Sequence, residues 1–315
     1  MRNFHRDVIL FLLAALPGYL VVLLLYGLLI PENLLNANLT SKRTTAGMLA
    51  RRLEEANSYG AVDVLVIGSS HAYRGFDPRH FEAAGLRMFN LGSSAQTPTQ
   101  SKVLLRKLLP QLQPKLVVFE MFPLSFSLDG IESSLDLISN GVRSADLLRT
   151  TLNQNNLKVY NTFAFHSLVD FMAIEIGTRK NDPLDVYVSG GFVGRTLQTN
   201  SPKSKEKENW VIDPFQQEEF EECIQLIQKA GCKLLLIYAP VNKSFYNSYT
   251  NQDQIVRNLT KGYTYFDFNT LVQVDDSLDF YDAHHLNQRG VDKFNSILLP
   301  MVLKELQDSV RNNTR

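Results

Sequence analysis

The sequence predicts an α/β fold, a flavodoxin-like three-layer arrangement in which helices cover both faces of a parallel sheet, preceded by one transmembrane helix. From Asp63 onward, short runs of branched apolar residues alternate with helix-like segments, as in parallel sheets covered on both faces. The first run, Val62 to Ile67, is broken at once by a glycine and two serines. Ahead of it, the 23 residues from Val8 to Ile30 carry no charge.

The uncharged run is long enough to cross a membrane. As a helix it would extend about 34 Å, against a hydrocarbon core of about 30 Å. A cleaved signal peptide is the alternative, but its apolar region is only about 7 to 15 residues long. Arg2 and Arg6 favour a cytoplasmic amino terminus, although Lys42 and Arg43 weaken that asymmetry. We expect a single-pass anchor through residues 8–30 in the cytoplasmic (inner) membrane, with the remaining chain outside.

The chain divides into three predicted parts, namely a tail with the anchor, a tether with a leading helix, and a large α/β domain, which cover residues 1–30, 31–60 and 61–315. Within the α/β domain the alternation breaks between about residues 122 and 210, a stretch too long for a plain connection. We interpret it as a cap insertion at the rim of the site, with a helix from Leu157 to Ile176. Its polar run from Ser201 to Asn209 is typical of a solvated loop.

Five strands are expected in the α/β domain, at Val62–Ile67, Leu86–Leu91, Lys115–Met121, Cys232–Tyr238 and Tyr263–Phe268. Prolines and capping residues mark the helices between them. A helix that begins at Pro98 is expected to stop at Pro110, because proline lacks the N–H that continues a helix. Further helices are predicted from Asp213 to Lys229 and from Gln288 to Gln307.

Composition narrows the possible partners. The chain has 315 residues, with 32 basic and 32 acidic side chains, so no net charge favours nucleic acid. The two cysteines, Cys223 and Cys232, lack the clustered spacing of a zinc site. Two buried free thiols are favoured over a disulfide. We therefore expect no cofactor, no metal and no nucleic-acid partner.

A pair of serines follows the first strand, at the edge where open parallel sheets usually carry their catalytic and ligand-binding residues. Ser69 and Ser70 come just after the turn at Gly68, where the next helix directs unpaired N–H groups into the crevice. A serine there is either a nucleophile or a helix cap. A nucleophilic serine needs a base, and the base works best when a carboxylate orients it. Asp282 and His285, in one loop far along the chain, supply such a pair.

Together the two segments resemble the SGNH (GDSL-like) hydrolase and acyltransferase superfamily. The Gly-Ser-Ser turn that ends in Ser70 is similar to the first block of that superfamily, and the stretch from Asp282 to His285 is similar to its final Asp-x-x-His block. The resemblance spans roughly Asp63 to the last helix. It implies Ser70 as nucleophile, His285 as general base and Asp282 as the orienting carboxylate.

Several neighbours compete for these roles. Ser69 is the reserve nucleophile, His284 the reserve base, and Asp279 the reserve carboxylate, whose alternative interpretation is an exposed loop acid. The three-residue step from Asp282 matches the superfamily at the second histidine of the loop. His71, next to the nucleophile, is expected to have a structural role or to lie at the rim.

The resemblance also implies an oxyanion hole. Backbone N–H groups at Ser70 and Gly92 would hold the developing negative charge. The superfamily adds an asparagine after the third strand, but here that strand ends in Glu120. Ser94 is the candidate substitute. Because a negative Glu120 would oppose an oxyanion, we expect it to pair with Arg74.

Two functional classes follow from the resemblance. The first is a membrane-anchored serine esterase or O-acyltransferase that forms an acyl-enzyme with acyl, expected acetyl, esters of cell-envelope polysaccharide or teichoic acid. Its substrate would be an acylated glycan or another ester. The second is a non-catalytic domain of the same fold that binds glycan or scaffolds a membrane-bound O-acyltransferase. The missing asparagine favours the second class, and the retained serine, histidine and aspartate favour the first.

Overall fold

The computed structural model describes residues 2–35, 37–196 and 206–312. Residues 201–205 of the predicted solvated loop lie outside these described residues. The chain forms two compact units. The larger unit consists of Ala46–Ser133 and Asn181–Arg315, and the smaller of Met1–Thr45 and Ser134–Lys180.

A five-stranded parallel sheet forms the centre of the larger unit. In chain order the strands of the described residues are β1 Val64–Ile67, β2 Met88–Asn90, β3 Leu116–Glu120, β4 Val186–Val188, β5 Phe192–Gly194, β6 Lys233–Tyr238 and β7 Thr264–Asp267. The order in the sheet is β2-β1-β3-β6-β7, whereas β4 and β5 pair as a separate antiparallel hairpin. The predicted α/β fold with a flavodoxin-like strand order is therefore confirmed.

All five predicted strands are present, each within a few residues of its expected bounds. Every residue of β1 and β3 is buried, as expected for central strands that helices cover on both faces. Because the strand order reverses between β1 and β3, a crevice opens above their carboxyl ends. Gly68 and Glu120 lie at this edge of the sheet.

The described residues contain fourteen α-helices. In chain order they are α1 Arg2–Leu29, α2 Glu32–Leu35, α3 Leu49–Tyr59, α4 Ser70–Gly75, α5 Pro78–Ala83, α6 Pro98–Leu112, α7 Ile131–Ser139, α8 Ala145–Asn153, α9 Leu157–Phe171, α10 Pro214–Lys229, α11 Lys243–Tyr246, α12 Gln252–Leu259, α13 Phe268–Leu271 and α14 Gln288–Asn312. Short 3₁₀ turns occupy Ala46–Met48 and Pro123–Phe126.

Three helix ends differ from the prediction. Helix α6 continues through Pro110 to Leu112, because a proline in the last turn removes only one of the terminal hydrogen bonds. Helix α9 stops at Phe171, five residues before the predicted end at Ile176. Helix α14 runs beyond Gln307 to Asn312.

The smaller unit contains α1, which packs along α9. Its core consists of Leu23, Leu35, Leu39, Phe165 and Val169. The remainder of α1 is exposed: Phe4–Leu29 is long and apolar enough to cross a membrane, and only 6% of its most apolar window is buried inside the protein. The core helix of a soluble protein is mostly buried, and α1 differs from such a helix because most of its apolar surface is exposed.

Candidate active site

A tight turn after β1 presents two serines in different directions. Gly68 has a φ of 150°, and a Cβ at this position would lie 2.7 Å from the Cβ of Glu120, so only glycine fits here without displacement. Ser69 caps helix α4, and its Oγ accepts the N–H of His71 at 3.3 Å. Ser70 is the first residue of α4 and lies at the mouth of the crevice.

Ser70, His285 and Asp282 form a continuous row of hydrogen bonds. The Oγ of Ser70 lies 2.7 Å from Nε2 of His285, and Nδ1 of His285 lies 2.8 Å from Oδ2 of Asp282. The other carboxylate oxygen of Asp282 accepts the backbone N–H groups of His284 and His285, at 3.0 and 2.8 Å. The structure thus brings together the three residues predicted as a triad.

Burial and hydrogen bonds determine the protonation states of His285 and Asp282. Burial lowers the pKa of His285 below 6.5 despite the hydrogen bond from its ring to Asp282. Burial opposes ionisation of Asp282, but the hydrogen bonds from His285 and from the backbone of His284 hold the pKa of that carboxyl well below its usual range. At neutral pH the carboxylate is therefore charged and accepts the proton on Nδ1, so that Nε2 faces Ser70 as a lone pair.

The reserve candidates have other partners. Asp279 is fully buried, not an exposed loop acid, and forms ion pairs with Arg289 and Lys293. His284 places Nδ1 3.1 Å from Nε2 of His71, while its ring lies 4.1 Å from that of His285. Neither side chain takes part in the Ser70 row.

His71 has the expected structural position but does not lie at the rim. Its side chain is almost completely buried, and its ring stacks against His285 at 4.6 Å and against Phe122 at 3.8 Å. Its Nε2 lies 3.0 Å from the backbone carbonyl of His284. His71 therefore supports the loop that carries the candidate base.

The predicted pairing of Arg74 with Glu120 is wrong. Arg74 donates two hydrogen bonds to Asp185, each 3.0 Å long, and Arg195 contacts the same carboxylate. The carboxyl of Glu120 lies 2.9 Å from Oγ of Ser69 instead. Helix α4 carries Arg74 toward Asp185, whereas Glu120 points back under the turn after β1.

The oxyanion hole also differs from the prediction. The N–H of Gly92 donates to Oδ1 of Asn90 at 2.9 Å, so the predicted second donor already has an acceptor. The N–H of Ser70 lies in the first turn of α4, where backbone donors have no acceptor within the helix. Ser94 lines the same cavity, with its hydroxyl 3.2 Å from that of Tyr73. The next residue, Ala95, has a left-handed backbone conformation with a φ of 47°, and it also lines the cavity.

The cavity above the row has a volume of about 310 Å³. Most of its lining is apolar or aromatic, including Phe122, Leu124, Leu128 and Tyr281. Ser70, Ser94, Arg74 and Glu132 supply polar groups. A cavity of this size suits a small ligand with an apolar part next to the serine.

Among the described residues, two groups of side chains could each offer three ligand atoms to a metal ion. One is His71, His284 and His285, and the other is Asp77, His80 and Asp292. In the first group His285 already contacts Ser70, and in the second Arg79 forms an ion pair with Asp77 at 2.6 Å. Protein partners thus account for both groups. The thiols of Cys223 and Cys232 are free and buried, as predicted.

No protein-family model matches the chain, and no curated protein matches it significantly. Among solved structures it is similar to a protein from Bacteroides fragilis NCTC 9343 provisionally described as an acylhydrolase, with 13% identity and a TM-score of 0.42. It is also similar to a GDSL-like lipase from Bacteroides thetaiotaomicron VPI-5482, with 10% identity and a TM-score of 0.39. Both matches cover 82% of this chain and 98% of the other. At identities this low, function can be inferred only from the residues of the chain itself.

Proposed function

We propose that the chain is a serine hydrolase or acyltransferase of the SGNH (GDSL-like) kind that acts on esters. The observation that carries this proposal is the row from Ser70 through His285 to Asp282, with contacts of 2.7 and 2.8 Å. A domain that only binds glycan has no need for a serine, a histidine and a carboxylate in this order. The row lies at the carboxyl edge of the sheet, beside a cavity of suitable size.

The geometry supports a two-step reaction. Nε2 of His285 takes the proton of Ser70 while its Oγ attacks the ester carbonyl, and Asp282 stabilises the imidazolium that forms. We assign the N–H of Ser70 and the hydroxyl of Ser94 to the oxyanion, because both residues line the same cavity. His285 then donates its proton to the departing alcohol, which leaves an acyl group on Ser70. Water or a second hydroxyl, activated by His285, releases that acyl group.

The substrate class and the location of the enzyme can also be inferred. We infer an anchored enzyme whose catalytic domain lies outside the cytoplasmic membrane and acts on acyl, expected acetyl, esters of cell-envelope polysaccharide. The support is an exposed apolar helix at the amino terminus and a cavity that holds a small acyl group better than a long chain. Transfer to a glycan hydroxyl differs from hydrolysis only in the acceptor of the second step.

One observation favours the second functional class, a glycan-binding or scaffold partner of a membrane-bound O-acyltransferase. The N–H of Gly92 donates to Asn90, and the residues that follow β3, Met121 to Pro123, include no asparagine. Loss of one oxyanion donor typically lowers turnover by about 10² to 10³. A site with two donors missing could therefore retain the triad without useful activity.

Labelling with an organophosphonate probe separates the two classes. The full chain in detergent micelles would be treated with the probe, and the modified residue identified by mass spectrometry. We expect labelling at Ser70 that disappears in Ser70→Ala and His285→Ala. The matched controls Ser58→Ala and His80→Ala change a serine and a histidine outside the row and should label normally. A folded wild-type chain that takes up no probe would favour the binding class.

A further inference from the structure

A second row of hydrogen-bonding side chains lies directly under the turn that carries Ser70. The carboxyl of Glu120 is 2.9 Å from Oγ of Ser69, and that oxygen is 3.2 Å from Nδ1 of His71. Nε2 of His71 is in turn 3.0 Å from the backbone carbonyl of His284. All three side chains are at most 3% exposed. The reaction proposed above gives none of them a role.

We propose that Glu120, Ser69 and His71 form a buried positioning relay, in which a neutral Glu120 aligns the hydrogen bonds that hold the loop bearing the candidate base. This inference rests on the proposed function and assigns a role to the buried carboxyl group at the end of β3. None of the three residues would touch the substrate. They would act through the carbonyl of His284 and through the face of His285 that stacks on His71.

The contact with the carbonyl of His284 selects between two arrangements of protons in the relay. In the disfavoured arrangement Nε2 of His71 accepts from Nδ1 of His284, 3.1 Å away, and its lone pair then faces the oxygen of that carbonyl. The carbonyl of His284 can only accept, so a neutral His71 carries its proton on Nε2 and offers a lone pair at Nδ1. The single hydroxyl proton of Ser69 must then point to that lone pair. Glu120 therefore faces a lone pair of Ser69 and must donate, which a carboxyl group can do only when it is protonated.

The surroundings keep the relay in that state at neutral pH. Burial raises the pKa of Glu120 to about 8, although hydrogen bonds from Ser69 and the backbone of Phe122 partly oppose this shift. Burial lowers the pKa of His71 well below 6.5, and the nearby rings of His285 and His284 lower it further. His71 is therefore neutral where Glu120 is protonated.

The phenols that interact with Glu120 do not ionise near the same pH. They are Tyr238 on β6, the strand next to β3, and Tyr265 on β7, the following strand, and burial raises the pKa of both above 10. Asp267 interacts electrostatically with both phenols. A change in the relay near pH 8 would therefore report on Glu120.

Ionisation of Glu120 would disrupt the relay. The carboxylate would take the hydroxyl proton of Ser69 as its own hydrogen bond, and Nδ1 of His71 would lose its donor. An unpaired acceptor in a buried site is costly, so His71 would shift or change tautomer. Either change disturbs the contact with the carbonyl of His284 and the stacking on His285. Reactivity should therefore be full between the pKa of His285 and that of Glu120, and it should fall as the pH rises through the pKa of Glu120.

The test is the pH dependence of probe labelling at Ser70 in the full chain. The wild-type rate should fall about tenfold above pH 8, the size expected from one lost hydrogen bond to a positioned group. Glu120→Gln should keep the rate at pH 7 and abolish the alkaline fall, because its amide donates to Ser69 at every pH. Glu120→Ala and Ser69→Ala should label slowly at all pH values. An unchanged alkaline fall in Glu120→Gln, or none in the wild type, would overturn the relay.

A second measurement does not depend on catalysis. Infrared difference spectra should show the carbonyl band of a protonated carboxyl group that disappears as the pH rises through about 8 and is missing in Glu120→Gln. Glu219→Gln is the matched control, because Glu219 is a buried carboxylate paired with Lys102. A wild-type chain that never labels but shows this band would refute the proposed function and leave the relay standing. Absence of the band at pH 6 would refute the relay.

Discussion

Ser69 and Ser70 are adjacent serines with different roles, because the turn after β1 points their side chains in different directions. Ser69 turns back to cap α4 and contacts Glu120, whereas Ser70 faces His285. The difference has a chemical consequence. Ser70 meets His285, whose other ring nitrogen is held by the carboxylate of Asp282. Ser69 lies between the buried carboxyl of Glu120 and the ring of His71, whose other nitrogen contacts only a backbone carbonyl and a second histidine ring. The carboxylate behind the base therefore favours activation of Ser70.

The reactivity of Ser70 should decrease on acidification with a midpoint below pH 6.5. Burial lowers the pKa of His285 below that value, and only its neutral form can accept the serine proton. Reactivity is therefore present above the folded-state pKa and lost as the pH falls through it. Asp282 remains ionised over this range. Labelling rates between about pH 5 and pH 8 measure the midpoint, and a value above 6.5 would contradict the assignment of the base.

The carboxylate of Asp185 should be important for stability, because it neutralises two largely buried guanidinium groups. Asp185→Ala leaves Arg74 and Arg195 without their shared partner, and the expected loss is about 3 to 5 kcal/mol of unfolding free energy. Lys115→Ala is the control, because it removes an exposed pair with Asp63, worth at most about 1 kcal/mol. Thermal unfolding followed by circular dichroism would measure both. Equal shifts in the two variants would refute the distinction.

At the scale of elements, the close approach of the turn after β1 to the end of β3 determines where the nucleophile lies. Gly68→Ala would bring a methyl group within 2.7 Å of Cβ and 3.1 Å of the carbonyl oxygen of Glu120, at a φ that alanine rarely adopts. We expect a stability loss of about 1 to 3 kcal/mol and slower labelling. Gly75→Ala at the end of α4 is the control, since its Cβ would make only an ordinary contact with Phe294. Normal labelling of Gly68→Ala would show that the turn is not restrictive.

The elements differ in how well the sequence predicts them. The strands of the sheet and helix α10 are readily predicted, because apolar runs and an Asp-Pro start mark them. Helices α7 and α8 were missed, since nine-residue amphipathic segments give little periodicity. The hairpin of β4 and β5 was also missed, although its Gly190-Gly191 turn, with both φ values at 90°, is a recognisable signal.

In the site, too, contacts within one loop can be predicted from the sequence, whereas contacts between distant segments cannot. Spacing within one loop predicts that Asp282 and His285 lie together, and the structure places His285 next to Ser70 with Asp282 on the other side of its ring. The partner of Arg74 could not be predicted, because Asp185 lies in a segment without a periodic pattern. The bond between Gly92 and Asn90 likewise depends on a side-chain direction that no local pattern specifies.

For the molecule as a whole, the exposed apolar surface of α1 has one consequence. Leu, Val and Phe side chains along this helix are largely uncovered by protein, and soluble proteins rarely expose so much contiguous apolar surface. The formal net charge of zero gives no electrostatic attraction that could hold the chain at a membrane surface instead. If α1 is an anchor, insertion of this helix alone should retain the chain in the membrane.

We therefore expect the full chain to stay with the membrane after extraction with alkaline carbonate. Replacing Leu16 and Val22 by arginine should release it, because both side chains are exposed near the middle of the apolar run. Each central arginine costs about 2.5 to 3.5 kcal/mol of insertion free energy, so the pair costs about 5 to 7 kcal/mol. The double alanine variant at the same positions should remain in the membrane fraction. A wild-type chain in the carbonate supernatant, or a double arginine variant that stays in the pellet, would contradict anchoring by α1.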